Sequence, residues 1–245
     1  TVTHVMPLLK RYGGYLVHVY TASTLFFVVY AMQWIIEGQY RLALVAMTIT
    51  ILIDATDGML ARKYRVKETA ARVDGETLDN IVDFLSYVLL PMFFMIKAEM
   101  LVLPVSLWVS FVLFASAFGF SRTTAKLADK GFFVGFPSYW NILVFYLFLL
   151  GTPPLFNTVL VTVLACLVFV PVGFLYVSRL KRWRTLHFVL GAIWGVLCLV
   201  ALPIQDPILR NNLLLLSLIY PIFYTMHSLW LNWHYHVQET RAAEG

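Results

Sequence analysis

The chain has 245 residues, of which 60% are hydrophobic and only 13% charged, against roughly 25% charged in a soluble globular domain, so a soluble globular class is excluded and a membrane protein is expected. The formal charge of +5 raises both nucleic acid and anionic lipid as partners, and its distribution along the chain has to decide between them. Cys166 and Cys198 both lie inside apolar runs, which excludes a disulfide framework or a zinc site and leaves packing as their role.

A helix needs roughly 20 apolar residues to cross the hydrocarbon core. Such runs occur near 15–36, 40–60, 77–96, 101–121, 138–151, 155–177, 187–204 and 213–233, predicting an all-α polytopic bundle of about eight transmembrane helices. The first run follows a short basic segment without a small-residue cleavage pattern, so it reads as a retained span. Within it, "HVYTAST" at 18–24 sets His18 and Thr21 on one helix face, a pair equally explained as interhelical glue. The fifth run is the shortest; Tyr139, Trp140 and the Pro153-Pro154 turn give it interfacial ends. A polar tail begins after about residue 236. No repeat, low-complexity segment or second soluble domain interrupts the pattern, so residues 1–245 are expected to form a single membrane domain.

The basic residues test this count. With the N-terminus in the cytoplasm, the cytoplasmic segments hold Lys10 and Arg11; Arg62, Lys63, Arg65, Lys67 and Arg72; Arg122, Lys126 and Lys130; Arg179, Lys181, Arg182 and Arg184; and Arg241. Only Arg41, Lys97 and Arg210 remain outside. That asymmetry is what the positive-inside rule requires, and one span more or fewer before the basic loops would scramble it. Both termini are therefore expected in the cytoplasm. The positive charge is mostly topological, with some attraction for anionic lipid and phosphate, and nucleic acid needs no further weight.

The end of the second span and the start of the third carry "DATDGMLARKYRVKETAARVDGETLDNIVD" at 54–83. Asp54 and Asp57 are spaced i, i+3, and Asp79 and Asp83 i, i+4, so each pair shares one helix face. Two helices thus offer four carboxylates to each other. Ionisable groups within spans face the bundle interior or a watery cavity, and oxygen-rich clusters suit the hard cations Mg²⁺ and Mn²⁺, which share carboxylates with substrate phosphates. Gly58, Gly75 and Ala61 clear space beside the aspartates. A structural alternative pairs the aspartates with Arg62 or Arg72 and assigns the glycines to close helix packing.

These residues resemble the CDP-alcohol phosphatidyltransferase signature, Asp-x2-Asp-Gly-x2-Ala-Arg, a spacer, then Gly-x3-Asp-x3-Asp. Asp54, Asp57, Gly58, Ala61, Arg62, Gly75, Asp79 and Asp83 fill every position. The twelve-residue spacer between Arg62 and Gly75 is longer than most of the family has. That spacer, "DNIVDFLSYVLLP" at 79–91, "GFPSYWNILVF" at 135–145 and the eight spans resemble the choline-using bacterial branch of the family.

The resemblance implies transfer of a phosphatidyl group from CDP-diacylglycerol to choline with release of CMP, in the bacterial inner membrane with the site facing the cytoplasm. It assigns Asp54, Asp57, Asp79 and Asp83 to divalent metal, Mn²⁺ or Mg²⁺, and Asp83 also to general base. Asp54, Asp57, Gly58, Ala61, Arg62, Gly75 and Asp79 are implied to contact the CDP moiety, although Arg62 also fits a positive-inside anchor. His18 and Thr21 fall in a region near the nucleotide in related enzymes. A homodimer and contacts with membrane lipid are implied too.

Choline carries a quaternary ammonium, which aromatic faces hold. Tyr87, one turn after Asp83, and Tyr139 and Trp140 are the candidate contacts, with Tyr146 as a further one, against a belt or packing role for each. Serine, ethanolamine, glycerol 3-phosphate or inositol phosphate remain as acceptors; the phosphorylated ones would need basic residues such as Arg122, Lys126 and Lys130. A cation-coupled transporter is the non-enzyme alternative, and it would predict discontinuous helices and related halves, for which the sequence has no symmetry. His4, His187, His227, His234 and His236 have no convincing metal partner in the sequence.

Overall fold

The computed structural model describes residues 2–122, 126–127, 132–177, 180 and 182–244, with side chains for those between 12 and 122, 132 and 177, at 180, and between 182 and 234. Lys130, Arg179 and Lys181, and the side chains of Lys10, Arg11, Lys126 and Arg241, lie outside the described residues. The expected helical membrane class is what forms. Five helical stretches are long and apolar enough to cross a membrane, Tyr12–Ile36, Tyr40–Lys63, Gly75–Lys97, Arg184–Ala201 and Pro207–His234, and three shorter apolar helices, Val105–Ser121, Trp140–Leu150 and Pro154–Phe169, occupy the remaining expected positions. The chain is a multi-pass membrane protein.

The described residues divide into two compact units, one of residues 1–100 with 140–144 and one of 101–139 with 145–245. In the first unit, α1 (Val2–Ala22) and α2 (Thr24–Ile36) run on as one span through Ser23, whose hydroxyl donates to the Tyr20 carbonyl. α3 (Tyr40–Lys63) follows, then a short α4 (Val66–Thr69), then the third span, built from α5 (Gly75–Asp83), a π-helical segment at Phe84–Leu89 and α6 (Leu90–Lys97). α2 packs on α3 and α6, while α1 packs on α3, α4 and α5. The buried set here is Ala31, Ile35, Ala43, Leu44, Ala46, Met47, Val88, Leu90, Phe94 and Met95. Small residues on α2 and α3 let those helices approach closely, the packing mode that works where lipid removes the hydrophobic drive between helices. Midway along α1, Gly13 and Gly14 admit the Tyr64 ring and the Thr69–Ala70 turn; a Cβ on Gly13 would lie 2.7 Å from Tyr64 Cδ1. That contact docks the chain between α3 and α5 against α1.

In the second unit, α7 (Val105–Ser121) packs on α9 (Pro154–Phe169), and Val109, Val112, Ala115, Val161, Ala165 and Val168 of these helices are buried. The sixth span was expected over 155–177, but α9 ends at Phe169 because Pro171 disfavours helix at Val170 and supplies no amide donor. The chain turns instead into a three-stranded antiparallel sheet of β1 (Lys126–Leu127), β2 (Phe132–Val134) and β3 (Gly173–Leu175), which the sequence reading did not anticipate. α8 (Trp140–Leu150), of which residues 140–144 belong to the first unit, has 11 residues, which at 1.5 Å each span only about 16 Å. The remaining helices are α10 (Arg184–Ala201), α11 (Pro207–Ser217) and α12 (Ile219–Glu244). Trp194 Nε1 donates to Tyr146 Oη at 2.8 Å, and Tyr146 Oη meets Ser217 Oγ at 2.5 Å, so α8, α10 and α11 are tied by buried polar contacts.

Candidate active site

The last turns of α3 and the first turns of α5 bring Asp54, Asp57 and Asp79 together, each offering a carboxylate oxygen within 4.8 Å of the other two. Asp57 is buried at 7% exposure, and Asp54 and Asp79 are half-buried. Asp83, expected as a fourth ligand, stands one turn beyond Asp79 at the end of α5 and is half-buried, outside that triplet. At an effective dielectric of about 20, two ionised carboxylate oxygens about 5 Å apart repel by on the order of 3 kcal/mol, so three together need compensation. An all-oxygen donor set of this kind matches a hard divalent cation.

Two hydroxyls from other helices already act on this cluster. Thr21, on α1, donates to Asp57 Oδ2 at 2.8 Å, and Tyr87, in the π-helical segment, donates to Asp54 Oδ2 at 2.6 Å. Each bond fixes one oxygen of its carboxylate and so sets the direction of the other. The wider π turn is what carries Tyr87 to a partner 33 positions earlier in the chain, and such segments occur often at functional sites. Tyr20 Oη meets Thr56 Oγ1 at 2.7 Å, which adds another tie between α1 and α3 beside the aspartates.

The N-terminus of α5 is fixed by Asp74, whose Oδ1 accepts from the amides of Glu76 and Thr77 at 3.0 and 3.2 Å and whose Oδ2 accepts from Thr77 Oγ1 at 2.7 Å. This is an N-cap satisfying two otherwise orphaned amides. The same bonds, those from Thr77 first, hold the Asp74 carboxyl below its ordinary value. The cap fixes where α5 begins, and so where Asp79 sits. Gly75, the next residue, lies against the His18 ring.

The other expected CDP contacts line the same helices. Gly58 follows Asp57, and a Cβ there would meet only Arg62 Nη1, at 3.6 Å. Ala61 is half-buried one turn beyond Asp57, and Arg62 is exposed in the last turn of α3. Neither arginine of the structural alternative forms an ion pair with these aspartates among the described residues; the salt bridge found there is Arg65 to Glu68, at 3.8 Å and exposed. Of the expected choline contacts, Tyr87 is engaged by Asp54, Trp140 is fully buried, and Tyr139 is half-buried in the second unit. Tyr146 belongs to the buried polar cluster of that unit. Also there, His187 and His227 pair through Nε2 and Nδ1 at 2.9 Å inside a group of aromatic rings.

Sequence reasoning missed three supports of the cluster. For Thr21 the sequence leaves open interhelical glue and a place near the nucleotide, for Tyr87 it offers only a contact for the acceptor or a packing role, and for Asp74 it offers no reading. Asp74 was legible: Asp followed by Glu and Thr at the second and third positions is a helix-start pattern. The Thr21 and Tyr87 partners lie 36 and 33 residues away, and no local spacing encodes them.

Comparison with known proteins bears on this arrangement. The model of the CDP-alcohol phosphatidyltransferase family matches residues 16–172. A Legionella pneumophila protein named phosphatidylcholine synthase is 42% identical over 176 residues, 70% of this chain and 68% of its own. Proteins of the same name from Borreliella burgdorferi and Pseudomonas aeruginosa are 36% and 33% identical, over 70% and 79% of this chain and 73% and 82% of theirs.

Proposed function

The chain belongs to the CDP-alcohol phosphatidyltransferase family, and from that premise we propose that it transfers the phosphatidyl group of CDP-diacylglycerol to choline, releasing CMP and forming phosphatidylcholine. The family depends on a divalent metal. The observation that carries the reading is the triplet of Asp54, Asp57 and Asp79, whose oxygens converge within 4.8 Å in a chain whose similar proteins are named for this product.

Asp54, Asp57 and Asp79 would hold the cation, with Asp83 completing the set as substrate binds. A bound Mn²⁺ or Mg²⁺ supplies charge neutralisation for the diphosphate and for the departing CMP. Thr21 and Tyr87 keep the carboxylates aimed. Gly58, Ala61, Arg62 and Gly75 line the CDP pocket, where the absence of large side chains lets the nucleotide approach backbone and Arg62 adds a cationic partner for phosphate. The choline hydroxyl oxygen forms the new P–O bond at the phosphorus bearing diacylglycerol, the P–O bond to CMP breaks, and the hydroxyl proton passes to Asp83. A positioned carboxylate of this kind contributes about 10²- to 10⁴-fold. The Tyr87 and Trp140 rings, both in the first unit, are the proposed contacts for the quaternary ammonium.

We further propose that residues 1–245 act as a single enzyme in the bacterial inner membrane, as a homodimer in contact with membrane lipid, with both termini and the aspartates toward the cytoplasm. That orientation follows from the basic loop at 62–72 and leaves the acyl chains of the lipid nucleotide in the bilayer.

The test is CMP release by purified protein with CDP-diacylglycerol and Mn²⁺ or Mg²⁺, comparing choline with serine, ethanolamine and glycerol 3-phosphate. Choline-dependent release supports the reading. Release with another acceptor keeps phosphatidyl transfer and overturns the choice of choline, and no release from folded, metal-loaded protein overturns both.

A further inference from the structure

Two buried side chains of the first unit hold a polar atom without a hydrogen-bond partner among the described residues, His18 at Nε2 and Asn141 at Nδ2. The buried hydroxyls around them are satisfied: Thr21 donates to Asp57, Thr50 to the Met47 carbonyl and Ser86 to the Val82 carbonyl. His18 falls in the region that the family resemblance gives to the nucleotide, whereas Asn141 has no part in the metal, CDP or base assignments. Asn141 is 2% exposed, at the start of α8, within the residues 140–144 that belong to the unit of the aspartates. Burying an amide NH2 costs its hydration and returns nothing until an acceptor arrives.

The orientation of that amide is fixed by its own helix. Tyr139, before α8, makes no side-chain cap, and the Ile142 amide donates to Asn141 Oδ1 at 2.8 Å, which satisfies one of the orphaned donors of the first turn. A backbone N–H only donates, so the side-chain oxygen faces it; exchanging oxygen and nitrogen would set donor against donor. Asn141 is left to present its NH2 group, with donors only. Trp140, the preceding residue, is fully buried, and an indole has no acceptor either. Successive helix positions diverge by about 100°, so ring and amide bound one sector of the interior from two sides.

We infer that Asn141 Nδ2 donates a hydrogen bond to the hydroxyl oxygen of choline and, with Trp140, selects that alcohol as acceptor. The inference rests on the function proposed above and adds a specificity residue to it. The signature residues of the CDP pocket all lie on α3 and α5, which leaves α8 for the acceptor. Choline has one hydrogen-bonding atom, its hydroxyl oxygen, two carbons from a quaternary nitrogen without N–H. As the hydroxyl proton passes to Asp83, the oxygen keeps lone pairs with which to accept, and Asn141 supplies donors and nothing else. The trimethylammonium end needs an aromatic face, for which Trp is the strongest. Ethanolamine and serine carry N–H groups in its place, and these would be buried unpaired against a ring and an NH2, a cost that rejects the wrong partner.

The experiment uses the full chain in detergent with Mn²⁺ and compares wild type, Asn141→Leu and Asn141→Asp by the KM of choline and of CDP-diacylglycerol, by CMP binding in calorimetry and by melting temperature. Leu approximates the shape of Asn without its donors. Asp keeps the oxygen that receives the Ile142 amide and puts a second oxygen where the NH2 was. Loss of one hydrogen bond is worth about 3- to 10-fold in affinity. Both variants should raise the choline KM by that factor and leave the CDP-diacylglycerol KM and CMP affinity within twofold. Asn141→Asp should also narrow the preference for choline over ethanolamine, because its carboxylate gives an ammonium N–H a partner. A purely structural role predicts otherwise: Asn141→Leu would lower the melting temperature and move both KM values together, and Asn141→Asp, which retains the cap, would leave the choline KM unchanged. Unchanged choline KM in a folded variant overturns the inference, as does an equal rise in both KM values, or a rise for CDP-diacylglycerol alone, which would make Asn141 a contact for the lipid nucleotide. Should one variant fail to fold, the other decides. The wild type separates the two levels of the reading: no choline-dependent CMP release refutes the proposed function and this inference with it, whereas choline-dependent release that the variants share at unchanged KM refutes only the role of Asn141.

Discussion

Tyr87→Phe isolates one hydrogen bond on the aspartate cluster. The hydroxyl donates to Asp54 Oδ2 at 2.6 Å from a residue 7% exposed, a short bond to a group that is charged when metal binds. Hydrogen bonds to charged groups contribute about 1.5–3 kcal/mol, and removing a partner that orients a metal ligand typically costs 10- to 100-fold in metal affinity. The two figures agree, since tenfold corresponds to about 1.4 kcal/mol. Without the donor, Asp54 also loses compensation for its repulsion by Asp57 and Asp79. Tyr87→Phe should therefore raise the Mn²⁺ concentration for half-maximal CMP release at least about tenfold, and Mn²⁺ binding followed by calorimetry should weaken in parallel. The aromatic face survives in Phe, so the choline KM should stay within twofold. Tyr87→Leu removes both hydroxyl and ring and should raise the choline KM as well. Metal affinity within twofold of wild type in folded Tyr87→Phe would refute the argument that the bond aims Asp54.

Thr21→Val keeps the shape of the side chain and removes the donor to buried Asp57, so it should lower thermal stability by about 1–3 kcal/mol and weaken Mn²⁺ binding by calorimetry. Asp83→Asn should lower kcat by about 10²- to 10⁴-fold while CMP binding is weakened far less; loss of CMP binding to the same extent as kcat would refute its role as the base. Chelation with EDTA should abolish CMP release and added Mn²⁺ or Mg²⁺ restore it, the ratio of the two restored rates reporting which cation the cluster prefers. Asp74→Ala should lower the melting temperature by uncapping α5. Because the Asp74 carboxyl is held below its ordinary 3.8, its contribution is present above that pH and is lost as pH falls through the folded value, so the melting-temperature gap between wild type and variant should close only in acid.

Membrane class, span positions and the aspartate faces were legible because each depends on local composition or on spacing along one helix. Asp54 with Asp57 and Asp79 with Asp83 share faces by helical geometry alone, and a run of apolar residues is long enough to cross lipid or it is not. Where the reading failed, either a local signal was outweighed by the composition around it or the controlling partner was distant in sequence. The sixth span stopped short at Phe169 because of Pro171, a signal present in the sequence but overridden by the apolar run around it, and the chain that follows pairs as β3 with β2, some 40 residues away. Such pairing leaves no periodic trace in strands of two or three residues.

By itself, then, the sequence determined that this is a helical membrane protein carrying a carboxylate cluster of phosphatidyltransferase type at the basic end of two spans. Only the tertiary structure decided which carboxylates converge, that Thr21 and Tyr87 hold two of them, and that His18 is buried against Gly75 with Nε2 unpaired among the described residues. The division has a physical cause. A hydrogen bond between side chains more than 30 residues apart exists only once α1, α3 and the π-helical segment are packed, and that packing is set by the fit of small residues such as Gly13, Gly14, Ala43 and Ala46 to their neighbours, which composition and periodicity do not record.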